Sequence, residues 1–337
     1  MQHAPAHRLL WTGFNGLDAA EVQPGFQPGG IVLFARNLDP DPAAGPARCH
    51  ALIQDLQARW GPLAVAVDQE GGPVSRLRAW VGPTPALRAI WTHGGADGCR
   101  RWGGLWGRGL HMLGFNVDFA PVADLYDPAP DAALGSRCAA DTPEAATAAA
   151  GAFLAGLEAE GVRGCLKHFP GLGGTRLDSH VGLPEVTDPA RLDVHVGPFQ
   201  ALAHPDRLVM VAHLRTPLSG GLPGSLSFRC VAGNPWGIQA RWLPDDLEMG
   251  GADGFTWEDK ARRCLEAGHE ALLVCQTPAA AEACAEAVTR LPETLWAPAA
   301  ARFRALRLRL PRRADPFEAT AWKAWVDEIR EAAAQVP

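Results

Sequence analysis

Side chains suited to proton transfer are concentrated in one segment, KHFPGLGGTRLDSHVGLP, at positions 167–184. Lys167 and His168 follow a short apolar run, which predicts that they lie at the C-terminal end of a strand. A glycine-rich stretch then lets the backbone turn freely. Asp178 and His180 stand two positions apart, so the carboxylate can orient the imidazole if the loop folds back. Enzymes use an oriented histidine of this kind for proton transfer; the alternative is a polar surface loop with an incidental histidine.

The composition is typical of a globular enzyme. The 337 residues are 47% hydrophobic and 20% charged, and the net charge of −6 favours neither nucleic acid nor an anionic membrane as a partner. Eight cysteines without a C-x-x-C pair indicate free thiols in a reducing compartment, not a disulfide framework or a zinc site. Because the N-terminus lacks the pattern of a secretory signal and no apolar run reaches spanning length, we expect a cytoplasmic protein.

Metal and cofactor binding are not expected. Asp245 and Asp246 are adjacent acids, but no further ligand cluster has the spacing of a metal site. We therefore predict that the protein uses neither a metal ion nor an organic cofactor.

Short apolar runs alternate with amphipathic stretches along the chain. Eight runs have the length of buried parallel strands, at residues 9–13, 31–34, 63–67, 116–119, 162–166, 208–212, 240–243 and 271–275. The clearest helical stretches cover residues 47–60, 97–113, 143–160 and 257–267. Thr142 and Thr256 have the pattern of helix N-caps. Eight strand-then-helix units predict an α/β fold, a single-domain (β/α)8 TIM barrel over residues 1–337, with extra C-terminal helices packed outside.

Polar and charged side chains follow many of these predicted strands. Active sites of such barrels gather at the C-terminal ends of the strands. The residues at those ends are Asn37, Asp68, Pro121, Asp124, Lys167, His168, His213 and Asp245. Each alone can serve as a turn or capping residue, but a barrel built only for stability needs no carboxylates, imidazoles and amine on one rim. Their repetition at equivalent positions predicts a shared pocket.

Seven motifs along the chain resemble those of glycoside hydrolase family 3, in particular the single-domain bacterial β-N-acetylglucosaminidases associated with peptidoglycan recycling. They are GGIVLFARNL (29–38), AVDQEGGPVSRL (66–77), LGFNVDFAPVADL (113–125), LGSR (134–137), the segment 167–184, VMVAHL (209–214) and PDDLEM (244–249). DQEGG followed by KHFPG and DSH is highly specific. The resemblance covers nearly the whole chain, and the fold it implies is a barrel of the type already predicted.

The resemblance implies roles for individual residues. Asp245 would be the nucleophile, His180 the general acid/base and Asp178 its partner. Positions implied to bind the sugar, the last of them near the pocket floor, are Asp68, Arg76, Arg137, Lys167, His168 and His213. The implied reaction is retaining hydrolysis of terminal β-linked N-acetylglucosamine from muropeptides, through a glycosyl-aspartate and with histidine in place of the usual second carboxylic acid. The partner is then a small carbohydrate, and we expect a monomer.

Five positions depart from the family's usual motifs. Leu172 and Gly174 replace the histidine and the aspartate of KHFPGHGDT, which predicts a less polar and more flexible loop. Pro244 stands where serine or threonine usually precedes the nucleophile, and proline removes a donor. Cys138 replaces a serine, and Arg241 interrupts the apolar run of its strand. Because the residues that would contact the sugar remain, we expect activity with altered loop dynamics.

Other activities remain open at this stage. A sugar-binding protein with little catalysis would bind ligand without trapping a covalent intermediate on Asp245. Because a neutral histidine base does not repel anions, phosphate can replace water as the acceptor, and the enzyme would then be an N-acetylglucosamine phosphorylase. A β-glucosidase of the same family is disfavoured, since those relatives usually take their acid/base from a second domain and here the DSH motif supplies it within the barrel.

Overall fold

The computed structural model describes residues 5–22, 25–312 and 316–337. Its strands are β1 (Leu10–Thr12), β2 (Gly30–Val32), β3 (Ala64–Val67), β4 (Gln69–Gly71), β5 (Val74–Ser75), β6 (Val117–Asp118), β7 (Arg163–Phe169), β8 (Leu208–Val211), β9 (Arg241–Pro244) and β10 (Leu272–Val274). Eight of them form one parallel sheet in the order β10-β1-β2-β3-β6-β7-β8-β9, while β4 and β5 pair as a hairpin. Each predicted apolar run overlaps one strand of the large sheet.

Two backbone hydrogen bonds join the ends of this sheet into a nearly closed barrel. The N–H of Glu270 donates to the carbonyl of Trp242 at 2.9 Å, and the N–H of Leu247 donates to the carbonyl of Leu273 at 2.9 Å. These bonds connect the β9 segment to the β10 segment, and closure protects sheet edges that would otherwise be unpaired. The predicted (β/α)8 fold is confirmed.

The helices surround the barrel. They are α1 (Gly45–Trp60), α2 (Arg78–Val81), α3 (Leu87–Leu113), α4 (Pro143–Ala159), α5 (Pro189–His195), α6 (Gly197–Leu202), α7 (Trp257–Ala267), α8 (Pro278–Arg290), α9 (Glu293–Arg309) and α10 (Ala319–Ala334). Short 3-10 helices cover Pro5–Leu9, Ala35–Asn37, Gly135–Arg137, Gly224–Leu226 and Gly250–Ala252. Thr142 and Thr256 cap α4 and α7 as predicted. α3 begins earlier than predicted, because a second helical segment joins it at Gly95, whose φ is 53°.

The N-terminal end of the barrel is filled by side chains of α9. Phe303 is fully buried, and its ring lies 5.5 Å from that of Trp11, which in turn lies 5.2 Å from that of Phe119. Arg307 donates from Nη1 to the carbonyl of Pro62, just before β3, at 2.8 Å. α9 therefore differs from the expected external helix, because its apolar face closes one end of the barrel.

α10 packs against α3 on the outside of the barrel, as predicted for the C-terminal helices. Trp325 donates from Nε1 to the carbonyl of Leu105 at 2.7 Å. A Cβ at Gly109 would overlap the ring of Trp325, so this close approach of the two helices requires glycine. Within the described ranges, no helix has the length and apolar character needed to cross a membrane.

Arg241 lies at the start of β9, at the end of the strand opposite to Asp245. Its Nη1 is 2.8 Å from Glu270, and its Nη2 is 2.9 Å from Asp206. The arginine that interrupts the apolar run of this strand is thus satisfied by ion pairs at the N-terminal end of the barrel, and it leaves the other end of β9 undisturbed.

Candidate active site

A cleft opens at the C-terminal ends of the strands. Its empty volume is about 820 Å³ with the open mouth included. The residues expected at the site that line it are Asp68, Arg76, Arg137, Lys167, His168, Asp178, His180 and Asp245. Other lining residues include Phe34, Glu70, Phe119, Leu134, Leu172, Met210, Asp246, Met249, Cys275 and Gln276.

Lys167 is buried between two acids of the cleft. Its Nζ lies 2.9 Å from Asp68 Oδ1 and 2.5 Å from Glu70 Oε1. Arg137 contacts the same Glu70 through Nε and Nη2, each at 2.9 Å. Arg76 lies 3.7 Å from the second oxygen of Asp68. Two carboxylates and three cations therefore hold one another in fixed positions at one side of the cleft.

The charges of this cluster fix its protonation states. Burial alone raises the pKa of Glu70, but Arg137 and Lys167 outweigh it and hold that pKa well below its ordinary value. Burial also raises the pKa of Asp68, and Lys167 and Arg76 outweigh it in the same way. Burial lowers the pKa of Lys167, but the two carboxylates raise it above the usual lysine value. At neutral pH the acids are ionised and the lysine is an ammonium.

Asp124 fixes both His168 and the start of the loop that follows. Its Oδ2 lies 2.8 Å from His168 Nδ1 and accepts the backbone N–H of His168 at 2.9 Å, and its Oδ1 accepts the N–H of Leu172 at 2.6 Å. Burial raises the pKa of Asp124, but the hydrogen bond and charge of His168 outweigh it and lower that pKa. His168 therefore enters the cleft with its Nδ1 edge already occupied, which fixes the orientation of the ring.

Residues 171–184, hereafter the lid, carry the predicted acid–base pair. His180 Nδ1 lies 2.7 Å from Asp178 Oδ1, which also accepts the backbone N–H of His180 at 2.9 Å. The two side chains are 66% and 57% exposed. Burial raises the pKa of Asp178, but the hydrogen bonds from His180 outweigh it and lower that pKa. An ionised Asp178 thus orients the imidazole through Nδ1, and the other ring nitrogen is left for proton exchange.

The lid is anchored at both of its sides. Arg176 Nη1 lies 2.9 Å from Asp127, which belongs to the loop after β6. On the other side, the N–H of Gly250 donates to the carbonyl of His180 at 3.2 Å. The acid–base pair is therefore suspended between the loop after β6 and the loop after β9.

Two of the unusual residues of the lid are accommodated by packing. Leu172 is buried in one apolar cluster with Leu134 and Val186. Gly174 has a φ of 71°, and a Cβ there would overlap Nη2 of Arg191. Leucine therefore anchors the start of the lid by apolar burial, and glycine leaves room for the arginine. The greater flexibility expected of this loop stays a prediction.

Asp245 lies one residue after β9 and is partly buried in the cleft wall. Its backbone N–H donates to the carbonyl of Val211 on β8 at 3.0 Å, so the pairing of the strands continues past Pro244 without a donor from the proline. Its Oδ1 accepts the N–H of Asp246 at 2.9 Å. The carboxylate is thus fixed to the end of the barrel and not to a mobile loop.

His213 lies behind the cleft and not in its lining, in contrast to the position expected at the pocket floor. It is fully buried, with Nδ1 2.6 Å from Ser225 Oγ and Nε2 2.9 Å from the carbonyl of Asp246. Burial lowers its pKa. Because both ring nitrogens are occupied, His213 supports the peptide next to Asp245 and has no nitrogen left for a sugar.

Glu70 and Asp246 are lining residues for which sequence reasoning gave no role. Glu70 follows Asp68 at the spacing that places alternate side chains of an extended segment on one face, and this alternation was a usable signal. The Asp246 carboxylate accepts hydrogen bonds from Cys275 N at 3.1 Å and from Gln276 Nε2 at 2.8 Å. Those partners follow another strand, and no local spacing indicates such a contact.

The cleft therefore combines three kinds of group. It has a cluster of fixed charges around Lys167, a carboxylate at the end of β9, and an imidazole held by a carboxylate on the lid. In the part of the chain that the structure describes, no group of three or more His, Cys, Asp or Glu residues could hold a metal ion. A carboxylate and an oriented imidazole that face one cavity are suited to covalent acid–base catalysis.

Comparison with known sequences gives a consistent result. The family profile described as "Glycosyl hydrolase family 3 N terminal domain" matches residues 18–305. The chain is 35% identical over 285 residues to a protein of Pseudomonas aeruginosa named "Beta-hexosaminidase", with 79% of this chain and 80% of that protein covered. It is 38% identical over 285 residues to "Beta-hexosaminidase LpqI" of Mycobacterium tuberculosis, with 79% of this chain and 71% of that protein covered.

Comparison with solved structures agrees with the sequence comparison. A glycoside hydrolase family 3 beta-N-acetylglucosaminidase from Paenibacillus sp. is 28% identical with a TM-score of 0.83, over 99% of this chain and 69% of that chain. NagZ from Neisseria gonorrhoeae, solved in complex with N-trifluoroacetyl-D-glucosamine, is 27% identical with a TM-score of 0.77, over 99% of this chain and 100% of that chain.

Proposed function

The chain belongs to glycosyl hydrolase family 3 and is a glycoside hydrolase, and from this premise we propose that it is a retaining exo-β-N-acetylglucosaminidase. Its substrates are then muropeptide fragments of peptidoglycan, from which it removes a terminal β-linked N-acetylglucosamine. The names of its relatives and the N-acylated glucosamine bound by one structural neighbour support the specificity for N-acetylglucosamine, and the muropeptide part of the proposal rests on the family resemblance. The observation that carries the proposal is a single cleft lined by both Asp245 and His180.

In the first step of the proposed reaction, Asp245 attacks the anomeric carbon of the bound sugar. The bond to the leaving oxygen breaks, and protonated His180 gives its proton to that oxygen. A covalent glycosyl-aspartate and a neutral imidazole result. Asp178, 2.7 Å from Nδ1, stabilises the imidazolium before the transfer and keeps the ring oriented during it.

In the second step, water enters where the leaving group was. Neutral His180 accepts a proton from this water, whose oxygen attacks the anomeric carbon and releases Asp245. Two displacements on opposite faces of the ring return the original β configuration. We assign entry of substrate and release of product to movement of the lid, because the lid carries His180, which lines the cleft.

Recognition of the sugar is assigned to the fixed charges opposite the lid. Asp68, Lys167 and Arg137 offer acceptors and donors whose orientations are set by their mutual contacts, so hydroxyl groups can bind without reorganising them. The apolar Phe119 and Met210 also line the cleft, and the barrel beyond them is filled. A cleft closed on its inner side accommodates the end of a chain, and this supports exo-acting hydrolysis.

The assigned roles can be tested with variants of Asp245 and His180 on an aryl β-N-acetylglucosaminide. We expect Asp245→Ala to abolish measurable hydrolysis and His180→Ala to lower kcat/KM by about 10²- to 10⁴-fold. Azide added to Asp245→Ala should yield the α-glycosyl azide, because it attacks the vacated face directly. The exposed residues Asp55 and His93 provide matched controls, and Asp55→Ala and His93→Ala should behave as the parent.

Retention of parental rates by both active-site variants would rule out these roles. A parent that binds N-acetylglucosamine in calorimetry but neither turns over nor labels Asp245 would instead be a sugar-binding protein. Muropeptide preference is tested separately, by comparing kcat/KM for N-acetylglucosaminyl-anhydromuramyl peptides with that for chitobiose. Equal values for the two substrates would remove peptidoglycan from the proposal.

A second candidate activity is phosphorolysis, and the observation that favours it is the imidazole in place of a carboxylate as base. His180 is exposed at the mouth of the cleft and is neutral when the second step begins, so it does not repel an incoming phosphate. Product analysis with and without inorganic phosphate separates the two activities. Hydrolysis gives only free N-acetylglucosamine, whereas phosphorolysis gives the 1-phosphate.

A further inference from the structure

The lid rests on the backbone of two glycines in the short 3-10 helix that follows β9. The N–H of Gly250 donates to the carbonyl of His180 at 3.2 Å, and the N–H of Gly251 donates to the carbonyl of Ser179 at 2.9 Å. These bonds reach the residue assigned as the acid/base and the residue before it. The Asp178 and His180 side chains are more than half exposed, and these backbone contacts hold residues 179 and 180 directly to the loop that follows Asp245.

The absence of a side chain at position 250 is what permits this contact. A Cβ there would lie 2.9 Å from the carbonyl carbon of Val181, 3.0 Å from the oxygen of His180 and 3.1 Å from the nitrogen of Gly182. All three atoms belong to the lid backbone, and none is the end of a flexible side chain. Gly250 has no positive φ, so its backbone conformation does not itself require glycine, and the close approach of the lid is what excludes a side chain.

Gly251 also contacts the lid, but a substitution there would not affect the lid alone. A Cβ there would lie 2.6 Å from Cβ of His213, which is fully buried. A substitution of Gly251 would therefore disturb the interior behind the cleft together with the lid. Of the two glycines, Gly250 is the one at which a side chain would meet the lid backbone and not the barrel interior.

We propose that Gly250 is a positioning residue for the acid–base step, because its bare backbone lets the lid approach until His180 reaches the glycosidic oxygen. This inference rests on the proposed function. A side chain at position 250 displaces the lid outward by a few tenths of an ångström or more, while Asp245 stays fixed at the end of β9. Proton transfer requires hydrogen-bond distance between donor and leaving oxygen, so it is impaired before nucleophilic attack is.

The test is Gly250→Ala with two β-N-acetylglucosaminides that differ in leaving group. An alkyl glycoside needs the proton from His180 as its bond breaks, whereas a 2,4-dinitrophenyl glycoside leaves without it. We expect kcat/KM to fall about 10- to 100-fold on the alkyl glycoside and to stay within about 3-fold on the dinitrophenyl glycoside. On the latter, kcat should fall because water needs the base, and azide, which needs none, should restore it.

Gly94→Ala is the matched control, since a Cβ at Gly94 in α3 meets no atom within 4 Å. It should match the parent on both substrates, and thermal unfolding of all three proteins checks that they are folded. A second measurement needs no variant: in the parent, the amide hydrogen of Gly250 should exchange slowly, and more slowly with saturating N-acetylglucosamine, because it is bonded to the lid.

The results distinguish failure of the role proposed for Gly250 from failure of the proposed function. Parental rates for Gly250→Ala on both substrates, equal losses on both, or rapid exchange of the Gly250 amide with and without the sugar would each overturn the positioning role. A parent that cleaves neither substrate contradicts the proposed function itself.

Discussion

Glu70 balances the charges of the cleft. It is 5% exposed, accepts two hydrogen bonds from Arg137 and lies within 2.5 Å of the Lys167 ammonium. Lys167 and Arg137 are thereby kept from being uncompensated buried cations, which are expensive in a protein interior. The sugar-binding set assigned to this cleft is therefore a set of mutual partners, and each member depends on the others for its charge and position.

We expect Glu70→Gln to lower the free energy of unfolding by about 3–5 kcal/mol at pH 7, because it removes one partner of a buried charged group. The pKa of Glu70 is held below its unfolded value, so its contribution to stability is fully present above the unfolded value of about 4.3. This contribution is lost as the pH falls from the unfolded pKa through the folded pKa, because over that range the unfolded state binds more protons than the folded state.

Urea unfolding at several pH values measures this difference. The gap between parent and Glu70→Gln should be constant from about pH 6 to 8 and shrink below about pH 4.3. Glu286→Gln is the control, because Glu286 is exposed on α8 and should change stability by less than about 0.5 kcal/mol. A gap that does not depend on pH would show that Glu70 stabilises by shape and not by charge.

The partners within this cluster could not be derived from the sequence. Lys167 and Asp68 are 99 positions apart, and Arg137 and Glu70 are 67 apart. Local patterns placed Lys167 and Asp68 just after predicted strands, because polar side chains after apolar runs are visible in the sequence. Arg137 was identified through the family resemblance alone, and Glu70 was not identified. Which ammonium meets which carboxylate depends on the order of strands around the barrel and on two loops, and these are set by packing at long range.

α9 closes the end of the barrel opposite the cleft. We expect Phe303→Ala to lower the free energy of unfolding by about 3–5 kcal/mol, because a buried ring against Trp11 would be replaced by a cavity. At temperatures where the variant is folded, kcat/KM should stay within about 2-fold of the parent. Phe228→Ala, at a side chain 57% exposed, should leave stability nearly unchanged. A large loss of activity in folded Phe303→Ala would mean that the two ends of the barrel are coupled.

The strands were predictable and the position of α9 was not. Buried parallel strands must be apolar on both faces, so each appears as a continuous apolar run, and all eight were recognised. α9 carries arginines through its second half, from Arg302 to Arg309, and a helix of that composition indicates an external face. Phe303 and Leu306 of α9, together with Leu310 just after the helix, pack in the barrel interior, and a narrow apolar stripe among charges does not show what it will contact.

Closure of the barrel on the side of the cleft involves Asp246. Asp246 follows β9, and its carboxylate accepts hydrogen bonds from Cys275 N and Gln276 Nε2, which follow β10. His213 holds its carbonyl from the interior. Eight strand units in a sequence predict a ring, but they do not indicate which side chains join its seventh strand, β9, to its eighth, β10. The bond network that completes the barrel therefore passes directly beside Asp245.

The Asp246 carboxyl, which links β9 to β10, should give the whole protein a measurable pH dependence of stability. Burial raises the pKa of Asp246 to about 6, with Glu248 and Asp245 adding to the rise, although hydrogen bonds from Gln276 and the backbone of Glu248 oppose it. The unfolded value is about 3.9, so between about pH 4 and 6 the folded state binds more protons than the unfolded state. Stability from this group therefore falls as the pH rises through that range, by up to about 3 kcal/mol.

Asp246→Asn should remove this contribution to the pH dependence of stability, because an amide does not titrate. Lost hydrogen bonds change the stability of the variant by the same amount at every pH. The difference in free energy of unfolding, variant minus parent, should therefore rise by up to about 3 kcal/mol between pH 4 and pH 7.5. Urea unfolding at the two pH values measures the change, and Asp253→Asn, at an exposed aspartate of the same loop, should show none. If the parent and Asp246→Asn change in parallel with pH, Asp246 is ionised throughout and its hydrogen bonds outweigh its burial.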